Sequence, residues 1–351
     1  MATRRAFLAG LAAAGLPRMA WADAGNPTYL AAGKVGEGYV LHGLSDAGSS
    51  VFHIPLPARG HAAAGHPTRA EAVAFARRPG TYALVLDCAL GIVRHRLAPP
   101  DGRQFNGHGA YSADGGLLMT SEVVAEGSAG RIGLWETARY TRIGEWASGG
   151  IGPHDLRLMA DGRIVVANGG IETDPGDRTK LNIATMRPNL TLLSAAGTVL
   201  DQFDLPDLHE NSIRHLALAG DTIAFAMQWE GDRDEAVPLL GLWTPGQTPV
   251  LVDLPLEAAL AMQGYAGSIA ISGDGGLIAL TSSRGGAAVV YDGAGKYLAT
   301  HHRADLSGAA PRPSDLMLSD GQGALWACDA TGLTPLDRAD VAWDNHLVAL
   351  T

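Results

Sequence analysis

The 351-residue sequence is short of three things: cysteine, with two residues, charged side chains, at 18 %, and any apolar run long enough to cross a bilayer as a helix. The last absence argues against a helical anchor in the mature chain. There is no Gly-x-Ser-x-Gly elbow, no glycine-rich phosphate loop following a strand and no Cys-x-x-Cys-His haem attachment, which disfavours serine hydrolases, nucleotide enzymes and c-type haem proteins. Zinc-finger spacing and a His-Glu-x-x-His helix are also missing, so any metal site has to be assembled by the fold rather than by one contiguous segment. Acids outnumber Lys and Arg by 36 to 26, which argues against nucleic acid and anionic lipid as partners.

What is present is glycine and proline, 46 and 19 residues, and an apolar fraction of 46 %. That combination favours many short strands joined by tight turns around a large core. At the N-terminus Thr3-Arg4-Arg5-Ala6-Phe7-Leu8-Ala9 leads into a short apolar stretch and then Ala20-Trp21-Ala22, a small-x-small cleavage site. Paired arginines before such a stretch are the mark of a Tat signal, here residues 1–22. A mature periplasmic domain, residues 23–351, follows from that reading. In that oxidising compartment Cys88 and Cys328 could pair. They fall on blades two and seven of the assignment below, with blade one between them. A disulfide requires Cα atoms about 4.4–6.8 Å apart, so two buried free thiols are expected.

Internal repeats define the fold. A strand, a polar turn and a second strand recur as Ala110–Met119, Leu156–Val166, Leu216–Phe225, Ile269–Ile278 and Leu316–Gly321. Their turn aspartates, Asp114, Asp161, Asp221, Asp274 and Asp320, lie 47, 60, 53 and 46 residues apart, close to the period of four-stranded blades with insertions. Asp beside Gly serves such turns because Gly accepts positive φ and Asp can bond nearby backbone. A less regular copy over 66–97 takes Ala72–Ala76 as its inner strand, with His66 at the entrance. The stretch Tyr29–Leu56 supplies three strands and lacks an inner one. Asp344–Leu350 resembles the inner strand Ser212–Leu218 and is expected to complete that blade. The fold class is therefore all-β, a seven-bladed β-propeller of four-stranded antiparallel blades, the ring closed by the C-terminal strand. A two-sheet sandwich does not require the fixed period.

Closure brings the residues entering each inner strand to the central channel. His66, His108, His154 with Asp155, His215 and His346 occupy five of seven entrances, although the chain has only 12 His. Imidazole is a common ligand for copper, iron and zinc, and such a ring could also bind an anion or simply satisfy its own blades. A long polar insertion in blade four, with Glu172, Asp174, Arg178, Lys180, Asn182 and Met186, reads as a lid or as a solvated excursion.

The Tat signal, Asn106-Gly107-His108-Gly109, Gly152-Pro153-His154-Asp155, the Gly169-Gly170-Ile171-Glu172-Thr173 insertion with Arg178-Thr179-Lys180-Leu181-Asn182, and Asn211-Ser212-Ile213-Arg214-His215 together resemble a bacterial domain family of unknown function. Its members are Tat-exported propellers often encoded beside imelysin-type periplasmic iron-uptake proteins. The resemblance spans nearly the whole mature chain and implies an accessory role in metal, chiefly iron, acquisition, with those proteins as partners; the chain itself is expected to be a monomer. It assigns no catalytic residue. The alternatives are a lactonase-type hydrolase, reading Asn106, Asp155, Asn168, Glu210 and Asn211 as Ca²⁺ ligands, and a non-catalytic interaction scaffold. A quinone-dependent propeller dehydrogenase would need a larger fold and tryptophan docking repeats, which are not evident.

Overall fold

The computed structural model describes residues 19–78, 80 and 82–350. The paired Arg4 and Arg5 lie outside them. Seven four-stranded antiparallel sheets form the ring. From the axis outward, blade two is Gly60–Gly65, Glu71–Ala76, Ala83–Asp87 and Ile92–Leu97, and blade four is Pro153–Leu158, Ile164–Asn168, Asn189–Leu193 and Val199–Asp204. The other inner strands are Arg103–Tyr111, Asn211–Ala219, Ser268–Ile271 and Leu306–Pro311 in blades three, five, six and seven, and Ala342–Ala349 in blade one.

Sequence chemistry explains each level. Middle strands pack against a neighbouring blade on both faces, so they are continuous apolar runs, and every residue of Ile164–Asn168 is buried. Outer strands face water on one side and alternate, as in Thr141–Ile151. The Asp turns are built alike: Ser112 Oγ donates to Asp114 Oδ1 at 2.6 Å, and that oxygen accepts Gly116 N–H at 2.9 Å. Ser272, Asp274 and Gly276 repeat the geometry at 2.6 and 2.9 Å, with Gly115 and Gly275 at φ +69° and +74°.

Ring closure is as the sequence predicts. Ala342–Ala349 pairs antiparallel with Tyr29–Val35, Tyr29 opposite Ala349 and Ala31 opposite Leu347. Tyr29 also donates its hydroxyl to Pro311 O of blade seven at 2.9 Å, and Arg59 of the blade one to two connection meets Asp344 at 2.5 Å. Cys88 and Cys328 are free and buried.

Two blades are shifted from expectation: in blade seven Leu316–Asp320 is the second strand and Leu306–Pro311 the inner one, because the Asp320-Gly321 turn there joins the second and third strands. In blade two Ala72–Ala76 is the second strand, and the inner strand is Gly60-His61-Ala62-Ala63-Ala64-Gly65. That strand carries no large side chain, and the turn after it is His66-Pro67-Thr68-Arg69 rather than an Asp-Gly pair, so the repeat signal is missing there.

A chain ending at Asp340 leaves Tyr29–Val35 as an unpaired apolar edge at the axis. We expect it to be insoluble, or to melt about 10 °C or more below the full chain by circular dichroism. An unchanged melting temperature would show that closure contributes little.

Candidate functional site: an axial histidine cluster

Inner strands crowd at the axis, and most are irregular there. The pairing register shifts between Gly60 and Ala63, Phe105 and Gly109, Pro153 and Leu156, Ile213 and His215, and opposite Trp343–Leu347. Each shift holds or borders a histidine: His61, His108, His154, His215 and His346. Bulges re-aim side chains out of the sheet alternation, and here they turn five imidazoles inward. Neighbouring ring centroids stand 4.5 Å apart for His61 and His346, 4.7 Å for His108 and His154, 4.7 Å for His154 and His215, and 4.8 Å for His215 and His346. Gly107 makes room for this packing: its φ is +94°, and a Cβ there would lie 2.5 Å from His61 Cδ2.

Four of the five histidines are buried, and His61 is partly open on one side of the cluster. On each ring one nitrogen is buried without a hydrogen-bond partner: Nδ1 of His61, His154 and His215, and Nε2 of His108 and His346. Burial first, and then the neighbouring imidazoles, holds His61, His154, His215 and His346 well below the ordinary imidazole range. In the fold they are therefore neutral imidazoles. Within each of two triads, His61-His108-His154 and His108-His215-His346, candidate ligand nitrogens lie within 4.8 Å of one another.

Asp155 organises one side of the cluster. It faces His108 Nδ1 at 3.3 Å, accepts the backbone N–H of Leu156 at 2.9 Å and of Leu216 at 3.1 Å, and pairs with Arg157 at 3.2 Å. Burial alone would raise its carboxyl, yet Arg157 and His108 hold it well below the usual carboxylate range. A carboxylate behind a histidine fixes its tautomer and raises its basicity, so Nε2 of His108 is left to point into the cluster.

Of the histidines expected at the channel, His66 does not join the others. It sits at the far end of its inner strand, where Nδ1 accepts the N–H of Thr68 and Arg69 at 3.2 and 3.1 Å and Nε2 lies 3.2 Å from Gly115 O. Its place at the axis belongs to His61. The signal was present, because Gly60-His61 echoes Gly107-His108.

The cluster separates two openings. On one side Arg157, Leu216, Leu218, Ile269, Ile271 and Leu347 line an apolar mouth of about 240 Å³. On the other a vestibule of about 190 Å³ reaches His61, His154 and His215. The blade-four insertion covers part of that vestibule. Its Thr173 N–H donates to Ser128 Oγ at 3.1 Å, Gln104 of blade three donates to Pro175 O at 3.1 Å, and Lys180 pairs with Glu230 of blade five. Arg178 and Lys180 line the vestibule, whereas Asn182 knits the loop to Glu172 N–H and Gly170 O, Asp174 accepts Gly176 N–H, and Met186 is buried in the core.

Of the oxygen ligands considered for calcium, those of Asp155 and Asn168 are engaged within the protein, whereas Asn106 Oδ1 and Asn211 Oδ1 are buried without a hydrogen-bond partner. Asn168 donates to Ser148 O and Asn189 Oδ1 while accepting from Ser148 Oγ, Asn211 and Asn106 donate to Pro238 O and Pro153 O, and Glu210 faces His209 at 3.8 Å.

Fold and site together define a seven-bladed propeller whose channel is blocked at mid-depth by histidine. Residues 54–350 match the family described as "Protein of unknown function (DUF1513)", and the chain belongs to that family. No curated protein matches it. Among solved structures it is similar to a chain of Kuenenia stuttgartiensis hydrazine synthase, at 14 % identity and a TM-score of 0.61, over 86 % of this chain and 89 % of that one. It is also similar to a chain of a mitotic checkpoint complex, at 12 % identity and a TM-score of 0.58, over 78 % and 75 %. At such identities the likeness shows the fold alone.

The neutral histidines carry a pH signature. Unfolded, they would take up protons below about 6.5, so the unfolded state binds more protons there and stability falls as pH drops through that value. Each imidazole that stays neutral contributes a slope of up to about 1.4 kcal/mol per pH unit. Urea midpoints of metal-free protein should fall between about pH 7.5 and about pH 5.5. The fall should be shallower in His154→Gln, and an identical slope in that variant would mean that His154 is protonated in the fold.

Proposed function

We propose that this protein is a periplasmic metal-binding accessory protein that holds a transition-metal ion, or a complex of one, among the axial histidines. One observation carries the reading: five inner strands, far apart in sequence, each deliver an imidazole with an unpartnered, buried nitrogen to the axis, where they form two triads that share His108. Orphaned buried nitrogens cost free energy unless something binds them. Neutral imidazoles suit zinc, copper, iron and nickel, whereas Ca²⁺ takes oxygen ligands. Export by a twin-arginine leader and a role in iron uptake beside imelysin-type proteins extend this reading from the resemblance of the sequence.

Metal-free protein titrated calorimetrically with Co²⁺, Cu²⁺, Zn²⁺ and Fe²⁺ should bind one equivalent of at least one of them. His61→Gln and His215→Gln should abolish that binding, and Asp155→Asn should weaken it about 10–100-fold. His66→Gln should leave it unchanged. Absence of stoichiometric binding, or equal binding in the His61→Gln, His215→Gln double variant, would overturn the metal reading and leave a scaffold.

A further inference from the structure

Five arginines and a lysine line the vestibule over the histidines: Arg77, Arg78, Arg178, Lys180, Arg214 and Arg284. The only carboxylate in that lining is Glu230, in a chain whose formal net charge is −10. Concentrating cations in one cavity of an acidic protein works against solvation and self-repulsion, so their present partners matter. Lys180 pairs with Glu230, Arg214 stands 3.9 Å from it, and Arg77 stands 3.5 Å from Asp344. Among the described residues Arg78, Arg178 and Arg284 have no carboxylate within salt-bridge distance. Arg178 donates instead to Arg78 O, and Arg284 to Gln263 O, both at 3.3 Å. Nε of the buried Arg214 is unpartnered. Burial, then the surrounding guanidiniums, pushes Arg78 below the ordinary arginine range, and burial acts first in the same direction on Arg178 and Arg214. Tyr265, in the same lining, accepts Asn345 Nδ2 at 3.1 Å on its hydroxyl oxygen, which leaves the O–H free to donate.

From this arrangement we infer that the vestibule is a binding site for a compact, multiply charged anion with carboxylate or phosphate oxygens, seated over His61, His154 and His215. Guanidiniums present paired N–H donors that match such oxygens, and several from different blades surround one ligand. Arg77 and Arg78 come from blade two, Arg178 from the blade-four insertion, Arg214 from blade five and Arg284 from blade six. The insertion thereby acquires a role, because Arg178 and Lys180 close the vestibule from above. The inference stands without a metal. If the histidines hold one, an anion in the vestibule is placed to complete its coordination.

The test uses the protein stripped of metal, with citrate and inorganic phosphate as separate probes in calorimetric titrations and acetate as a singly charged control. Citrate or phosphate should bind one per chain, more weakly as NaCl rises, and acetate should not bind measurably. Arg178→Gln and Arg284→Gln, both at exposed positions, should each weaken binding about tenfold or more with an unchanged melting temperature. Which probe binds tells carboxylate from phosphate chemistry. Failure of both probes, or wild-type affinity in both variants, would overturn the inference. His108 is shared by both histidine triads and lies outside the vestibule lining, so His108→Gln separates the two readings: anion binding that survives in that variant while metal binding is lost confirms an independent anion site. Metal binding in a protein that ignores both anions removes this inference alone.

Discussion

Closure of the ring is the constraint on which the rest of the molecule depends. Seven sheets arranged about one axis leave their inner strands little lateral room, and the C-terminal strand removes the last free edge by pairing with Tyr29–Val35. Whatever the inner strands present at the axis is consequently buried among its equivalents from other blades. Side chains usually meet that demand by being small or apolar, as Ala270 and Ala310 do. Here five bulges bring imidazoles instead, and they lose their water without gaining a protein partner for one nitrogen each. A fold under no further demand has a less costly way to fill the space.

The channel is layered by charge. The vestibule carries arginine from blades two, five and six and from the blade-four insertion, His61, His154, His215 and His346 below it are neutral, and Asp155 stands behind His108 with Arg157 beyond it before the apolar mouth begins. Burial, then the neighbouring imidazoles, keeps His61, His154 and His215 neutral, and Arg77 beside His61 and Arg214 beside His154 and His215 act in the same direction. Neutral imidazole is the form that binds metal, so the basic mouth and the nitrogen donors support one another. A bare cation arriving from that side meets repulsion. A cation carrying its own anionic ligands does not, and a site of this layering is matched to such a complex.

Most of the architecture could be read from the sequence because Asp-Gly turns are local and recur at a blade's period. Closure was legible because Asp344–Leu350 echoes Ser212–Leu218. Blades two and seven were displaced by one strand: in blade seven the Asp320-Gly321 turn follows the second strand, and in blade two Gly60–Gly65 is built of Gly, Ala and one His, and its turn lacks the Asp-Gly pair. His66 was consequently assigned to the axis in place of His61. The vestibule was less accessible to sequence reasoning. Arg77 and Arg284 lie in connections of blades two and six more than half the chain apart, and nothing near either one marks it as facing the same cavity. Within the insertion, composition alone could not separate Arg178 and Lys180, which face the cavity, from Asp174, Asn182 and Met186, which shape and anchor the loop.

The central claim is a position, a metal ion held by the axial histidines in one of two triads that share His108, and a position is tested most directly by anomalous diffraction. Crystals of the purified protein grown with Co²⁺ or Zn²⁺, with data collected on either side of the absorption edge, should show one dominant peak on the propeller axis. That peak should lie about 2.0–2.1 Å from nitrogens of at least three among His61, His108, His154, His215 and His346. A map with no axial peak, or with metal only at surface sites such as His301 and His302, would contradict the account and leave the histidines as packing.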